Sequence, residues 1–113
     1  MKMISVIIKP FKVEEVRNAL GRLGISGITL SEAKGFGHQK SRAQWYRGDG
    51  FMLEFVPKVE LEVVIDAELV PRAVEAILAA AHTGKVGDGK IVVSDLEDIV
   101  RIRTGETGAL AVA

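Results

Sequence analysis

The sequence predicts an α+β fold of the split βαβ, ferredoxin-like kind: an antiparallel sheet with two helices on one face. Three observations predict it. Two helix-period stretches each lie between stretches of strand period, in the order β-α-β, long loop, β-α-β. The loop in the middle, from Gly35 to Gly50, is rich in Gly, Ser, Gln and charge and has no sustained period. The chain of 113 residues is the length of one domain, with formal net charge +0, no cysteine and no run of like charge.

Taken in order, Ile4, Val6 and Ile8 alternate with Ser5, Ile7 and Lys9, a strand that Pro10 ends. Val13, Val16, Leu20 and Leu23 then recur at helical spacing. Glu14 and Glu15 stand in the first turn, where the helix dipole favours them, and Gly24 is the stop signal. Ile28 to Lys34 reads as a second strand, and the long loop follows; loops of this length in small domains are functional or disordered. Val59, Leu61, Val63 and Ile65 form the third strand. Asp66 is the expected cap of a second helix whose apolar stripe is Val70, Ala73, Val74, Ile77, Leu78 and Ala81. Ile91 to Val93 is a fourth strand. Val100 and Ile102 alternate with Arg101 and Arg103 in a short fifth, and the tail from Gly105 is expected to be mobile.

Two helices on one face leave the other sheet face bare. A domain this small covers such a face by association with copies of itself, so a homo-oligomer is expected. The balanced charge argues against nucleic acid as the main partner. Met1 to Ile4 runs straight into a strand pattern, which is not a signal peptide, and no apolar run reaches membrane-spanning length. A soluble, cytoplasmic protein is expected.

The run Thr83-Gly84-Lys85-Val86-Gly87-Asp88-Gly89-Lys90 carries the most chemistry. Its glycines let several N–H groups converge on one anion, and its lysines supply compact charge for phosphate oxygens. Gly84, Gly89 and Lys90 have the spacing of a P-loop, but Ile91 stands where the metal-binding Ser or Thr is required. The run also follows a helix and opens a strand, the reverse of a P-loop, so that reading is rejected. On spacing alone, a Gly-rich turn with surface lysines fits the run equally well.

Longer stretches carry a resemblance. Ile7 to Lys12, Lys34 to Gly37, Tyr46 to Gly48, Phe55 to Val59, Thr83 to Ile91 and Arg101 to Glu106 are similar, without gaps, to the PII nitrogen-regulatory signal proteins, over nearly the whole chain. The resemblance implies a homotrimer of single domains, residues 1–113, with nucleotide sites in the clefts between subunits. There ATP and ADP compete, and 2-oxoglutarate joins MgATP. It implies a T-loop at about 37–55 that docks on an ammonium transporter or a nitrogen-metabolism enzyme, a C-terminal tail at about 105–113, and a sensor rather than an enzyme.

By the same resemblance, Gly87, Asp88, Gly89 and Lys90 cradle the phosphates, with Arg101 and Arg103 reaching them from the neighbouring subunit. Gly35, Gly37 and His38 pass close to the nucleotide, and Thr29, Glu62 and Val64 line the base and ribose. Gln39 ligates Mg²⁺, and Gln39, Lys58 and Gly87 hold 2-oxoglutarate. Trp45, Tyr46, Arg47 and Phe51 make the docking surface of the T-loop. Read without the family, Arg101 and Arg103 fit a solvated strand face, Lys58 is a surface lysine and Gln39 is a polar loop residue.

Three positions depart from the family pattern. His38 stands in place of a phosphate-touching arginine; its imidazole, with an ordinary pKa of about 6.5, cannot make arginine's bidentate contact. Phe51 replaces the tyrosine that many bacterial members have nucleotidylylated, and phenylalanine has no hydroxyl to accept the group. Asp49 replaces a serine that cyanobacterial relatives phosphorylate. Signalling by ligands alone is therefore expected. With Gly50, these changes leave open a PII-like paralogue serving carbon uptake or metal handling. An enzyme acting on a nucleotide is a third reading, but no base stands out beside the loop.

Overall fold

The computed structural model describes residues 1–39 and 52–112, and side chains at all of these except 36–39 and 52–55. Trp45, Tyr46, Arg47, Asp49, Gly50 and Phe51 therefore lie outside the described residues, as do the side chains of His38 and Gln39.

The elements are β1 (Lys2–Ile8), α1 (Val13–Gly21), β2 (Ile28–Gln39), β3 (Met52–Ile65), α2 (Val70–Ala81), β4 (Lys90–Asp95) and α3 (Ala109–Val112). The four strands form one sheet in the order β2-β3-β1-β4, antiparallel throughout. α1 and α2 pack against each other on one face of it. This is the split βαβ arrangement expected from the order of periodicities.

Register decides which side chains face the helices. Ile4 pairs with Val63, and Val6 with Leu61, so the odd residues of β3 and the even residues of β1 share the covered face. Ile4, Val6, Ile8, Leu61 and Val63 are almost wholly buried there, against Val16 and Leu20 of α1 and Ala73 and Ile77 of α2. At roughly 1.5–3 kcal/mol for each large side chain buried, this layer is the main favourable term of the fold. The bare face carries Ser5, Ile7, Glu60, Glu62 and Val92.

Several expectations need correction. β2 and β3 are longer than the periodicity suggested, reaching Gln39 and starting at Met52. Pro57 sits inside β3, opposite Lys34. It is tolerated because pairing with β1 begins only at Val59, so no ladder bond on that side needs its missing N–H. Asp66 makes no side-chain cap; a 3₁₀ turn, Ala67–Leu69, intervenes, and α2 begins at Val70 with Pro71 in its first turn. Leu78, expected in the apolar stripe of α2, is 56% exposed beside the open edge of β4.

The C-terminal region differs most. Val100 makes a single bridge to Thr107 and no fifth strand forms. The chain instead turns back: Arg101 N donates to Glu106 O at 2.8 Å, Gly105 N to Arg101 O at 2.8 Å and Gly108 N to Ile99 O at 3.1 Å. Three glycine and threonine residues between Arg103 and Gly108 break the strand period. The tail, expected to be mobile, ends in α3 with Ala111 buried.

Candidate functional site

The loop after α2 is built around one carboxylate. Asp88 accepts from the backbone N–H groups of Thr83 and Gly84, each at 2.9 Å, and from the Thr83 hydroxyl. The ammonium of Lys9, at the end of β1, lies 3.1 Å from the same carboxylate and donates to Thr83 Oγ1 at 3.1 Å. Lys85 N closes the turn onto Thr83 Oγ1 at 3.2 Å. The Thr83 hydrogen bonds foremost, then those from Gly84 and Lys9, hold the Asp88 carboxyl below the usual carboxylate range.

With its carboxylate oxygens engaged by Thr83, Gly84 and Lys9, Asp88 braces the loop from inside. The groups turned toward the cleft are glycine backbone and lysine. Gly89 has φ +101°, and a Cβ there would lie 1.6 Å from the carbonyl oxygen of Ile7. Only glycine lets the loop lie against β1 at that point. Lys58 donates to the carbonyl of Gly87, and a Cβ on Gly87 would come within 3.2 Å of its ammonium. Gly35, on β2, lies under the stem of Lys58, with a hypothetical Cβ 3.3 Å from Cγ. Lys9, Gly35, Lys58, Gly87, Gly89 and Lys90 thus line one cleft of ≈ 600 Å³.

A second cleft, of ≈ 310 Å³, opens at the other end of the bare sheet face. Thr29 and Glu62 are cross-strand partners, so both point out of that face. With Val64 and Arg101 they line this cleft, together with Ala111 and Val112 of the tail. Glu60, next to Glu62 on the same face of β3, hydrogen-bonds it, and that bond raises the carboxyl pKa of Glu60.

Among the described residues, the two clefts share no lining residue. Lys58 and Glu62 are four residues apart on β3, about 13 Å at roughly 3.3 Å per residue. Thr29, Glu62, Val64 and Arg101 are therefore brought together in one place, and Gly35, Lys58, Gly87, Gly89 and Lys90 in another. Arg101 and Arg103, expected side by side on a strand, part company on the turn: Arg101 is half-buried and Arg103 exposed. Gly37 lies in β2 opposite Glu54.

Sequence reasoning missed Lys9 as part of this site. It is 74 residues from Thr83, and no period links them. The one signal was its place in the Ile7 to Lys12 stretch. Among the described residues no group of three or more His, Asp or Glu side chains could hold a metal, and no helix is long and apolar enough to cross a membrane.

Fold and site together define a ferredoxin-like α+β protein with a lysine-lined, glycine-walled cleft at one end of its sheet. The family model described as nitrogen regulatory protein P-II matches residues 1–106. The chain belongs to that family, whose members regulate nitrogen metabolism. It is 57% identical over 112 residues to the nitrogen regulatory protein P-II of Azospirillum brasilense, covering 99% of this chain and 100% of that relative. It is 55% identical over 112 residues to that of Bradyrhizobium diazoefficiens, with the same coverage. Among solved structures, the crystal structure of Arabidopsis thaliana PII bound to citrate superposes with a TM-score of 0.80 at 33% identity, covering 98% of this chain and 88% of that one.

Proposed function

We propose that this chain is a PII-type sensor that reads ATP against ADP, together with 2-oxoglutarate, and passes the result to nitrogen-metabolism targets by docking its T-loop. The observation that carries this reading is the braced glycine loop facing Lys58 and Lys90 across one cleft. A loop held shut from inside needs little reorganisation when an anion arrives, so its N–H groups act as a preformed nest. Gly87 and Gly89 let phosphate approach the backbone, and Lys90 supplies a counter-charge. The remaining charge comes from Arg101 and Arg103 of a neighbouring subunit, with Thr29, Glu62 and Val64 of that neighbour around the base.

Lys58 gives the 2-oxoglutarate half its physical form. Its ammonium is held by the carbonyl of Gly87. A carboxylate is the stronger acceptor and would take it over, so the dicarboxylate exchanges one hydrogen bond for a charge-assisted one. Gln39 would supply an oxygen to Mg²⁺ beside it, and His38 would stand nearby. The citrate of the plant relative is a carboxylate in keeping with this chemistry.

A homotrimer follows from the same reading. Both edge strands expose apolar side chains, Leu30 at 50% on β2 and Val92 at 48% on β4, and a second copy would cover them. Trp45, Tyr46, Arg47 and Phe51 would then project as docking residues toward a transporter or enzyme in the cytoplasm.

The test is calorimetric titration of 2-oxoglutarate in MgATP and then in MgADP. Heat is expected only with MgATP, and Gln39→Ala should abolish it. Nucleotide binding without any response to 2-oxoglutarate would replace this reading by the paralogue. Phosphate release above a Lys90→Ala control would replace it by an enzyme.

A further inference from the structure

The tail lies where the neighbour's share of the nucleotide site would be. Ala111, 9% exposed, is turned into the cleft of Thr29, Glu62 and Val64, while Leu110 beside it is 66% exposed. The small side chain thus faces in, and the large one faces out. Arg101 Nη2 donates to the carbonyl of Ala111 at 3.2 Å, and its Nη1 lies 3.9 Å from Glu106 Oε1. Arg103, two residues on, is exposed.

We propose that residues 109–112 form an intramolecular latch that competes with nucleotide, with Arg101 as its fastener. The inference rests on the nucleotide reading of this cleft. Docked, the tail fills part of the wall that a base would occupy and engages the guanidinium that phosphates would require. Nucleotide and tail then exclude each other at one wall and one cation. Phosphate is the stronger acceptor for a guanidinium, because both partners are charged and the contact is bidentate. Arriving nucleotide therefore strips Arg101 from Ala111 and releases α3. Arg103 needs no such release and can make the first contact.

The latch has a measurable cost to affinity. Apparent affinity falls by the fraction of molecules whose site is open, so a tail docked nine-tenths of the time weakens binding about tenfold. The experiment compares the full chain with a variant ended after Gly108, titrating MgADP by calorimetry and checking by sedimentation that both have the same assembly state. The shortened protein should bind MgADP about three- to tenfold more tightly. Ala111→Arg in the full-length chain, which cannot seat in the cleft, should reproduce the gain if truncation disturbs folding.

Hydrogen exchange gives the second readout. Ala111 N donates to Gly108 O at 3.0 Å in the docked tail, so saturating MgADP should speed exchange across 109–112. Equal affinities for the full and shortened chains would overturn the latch and leave the nucleotide reading intact. Slower exchange with MgADP would also overturn it, since the tail would then close over the nucleotide. Failure of both proteins to bind MgADP would remove the nucleotide reading, and the latch with it.

Discussion

The loop from Thr83 to Lys90 and the turn from Arg101 to Ala111 both bring cations to one face of the sheet, and they are held in opposite ways. In the loop, an internal anion does the holding: Asp88 gathers two N–H groups, a hydroxyl and the Lys9 ammonium, and the glycine backbone is left facing the cleft. In the turn, the cation of Arg101 is itself held, by a backbone carbonyl of the tail. On the proposed reading, one region is organised before its ligand comes and the other must exchange a partner. The difference teaches that two cation-bearing segments can be held in opposite ways, according to whether the charged group braces or is braced.

The largest effect should come from breaking the loop's approach to β1. Gly89→Ala places a methyl on the Ile7 carbonyl at a positive φ, and the two penalties together cost about 3 kcal/mol. The melting midpoint followed by circular dichroism should fall by roughly 10 °C. A midpoint within 2 °C of the parent would mean that the loop does not rest on β1 as described.

Next is the brace. Asp88→Asn and Lys9→Met should each weaken MgADP binding about tenfold in titration, through a looser loop rather than a lost contact. The double variant should be no worse than either single one, since both break one network. Additive losses would assign Asp88 or Lys9 a direct contact to phosphate.

The turn is tested by treating its arginines separately. Arg103→Ala should lose about tenfold in affinity for MgADP. Arg101→Ala loses a phosphate contact but also unfastens the tail, so its net loss should be only a few-fold. Equal losses at both positions would say that Arg101 holds nothing back.

The smallest effect is on pH dependence. Asp88 has a folded pKa below its ordinary value, so its contribution is present above the unfolded pKa of about 3.9 and is lost as pH falls through the folded one. Glu60 is raised and has the opposite sign. Melting midpoints between pH 5 and 3 should therefore fall less steeply for Asp88→Asn than for the parent. Parallel curves would show that the brace does not depend on this charge.

Much of this was legible along the chain. β1, α1, α2 and β4 follow from the spacing of Ile4, Val16, Ile77 and Ile91 with their neighbours, because burial on one face imposes the period of the element. The loop of Thr83 to Lys90 was visible for the same kind of local reason: its glycines and lysines are adjacent. The fifth strand and the mobile tail were misread because two alternations, Val100 to Arg103, are too short to separate a strand from a turn closed by later residues. Asp66 was misread because its side chain looks like a cap whether or not the next turn is α-helical.

The sequence alone therefore determined the order of elements from β1 to β4, the covered face and the composition of the glycine loop, since each depends on residues within a few positions of one another. The tertiary structure decided the rest. It brought Lys9 to Thr83 and Asp88, set Gly89 against Ile7, laid Lys58 between Gly35 and Gly87, and turned Ala111 back toward Thr29 and Glu62. These contacts join residues far apart in the chain. Their partners are chosen by strand register and loop closure, and no period of a single segment encodes either.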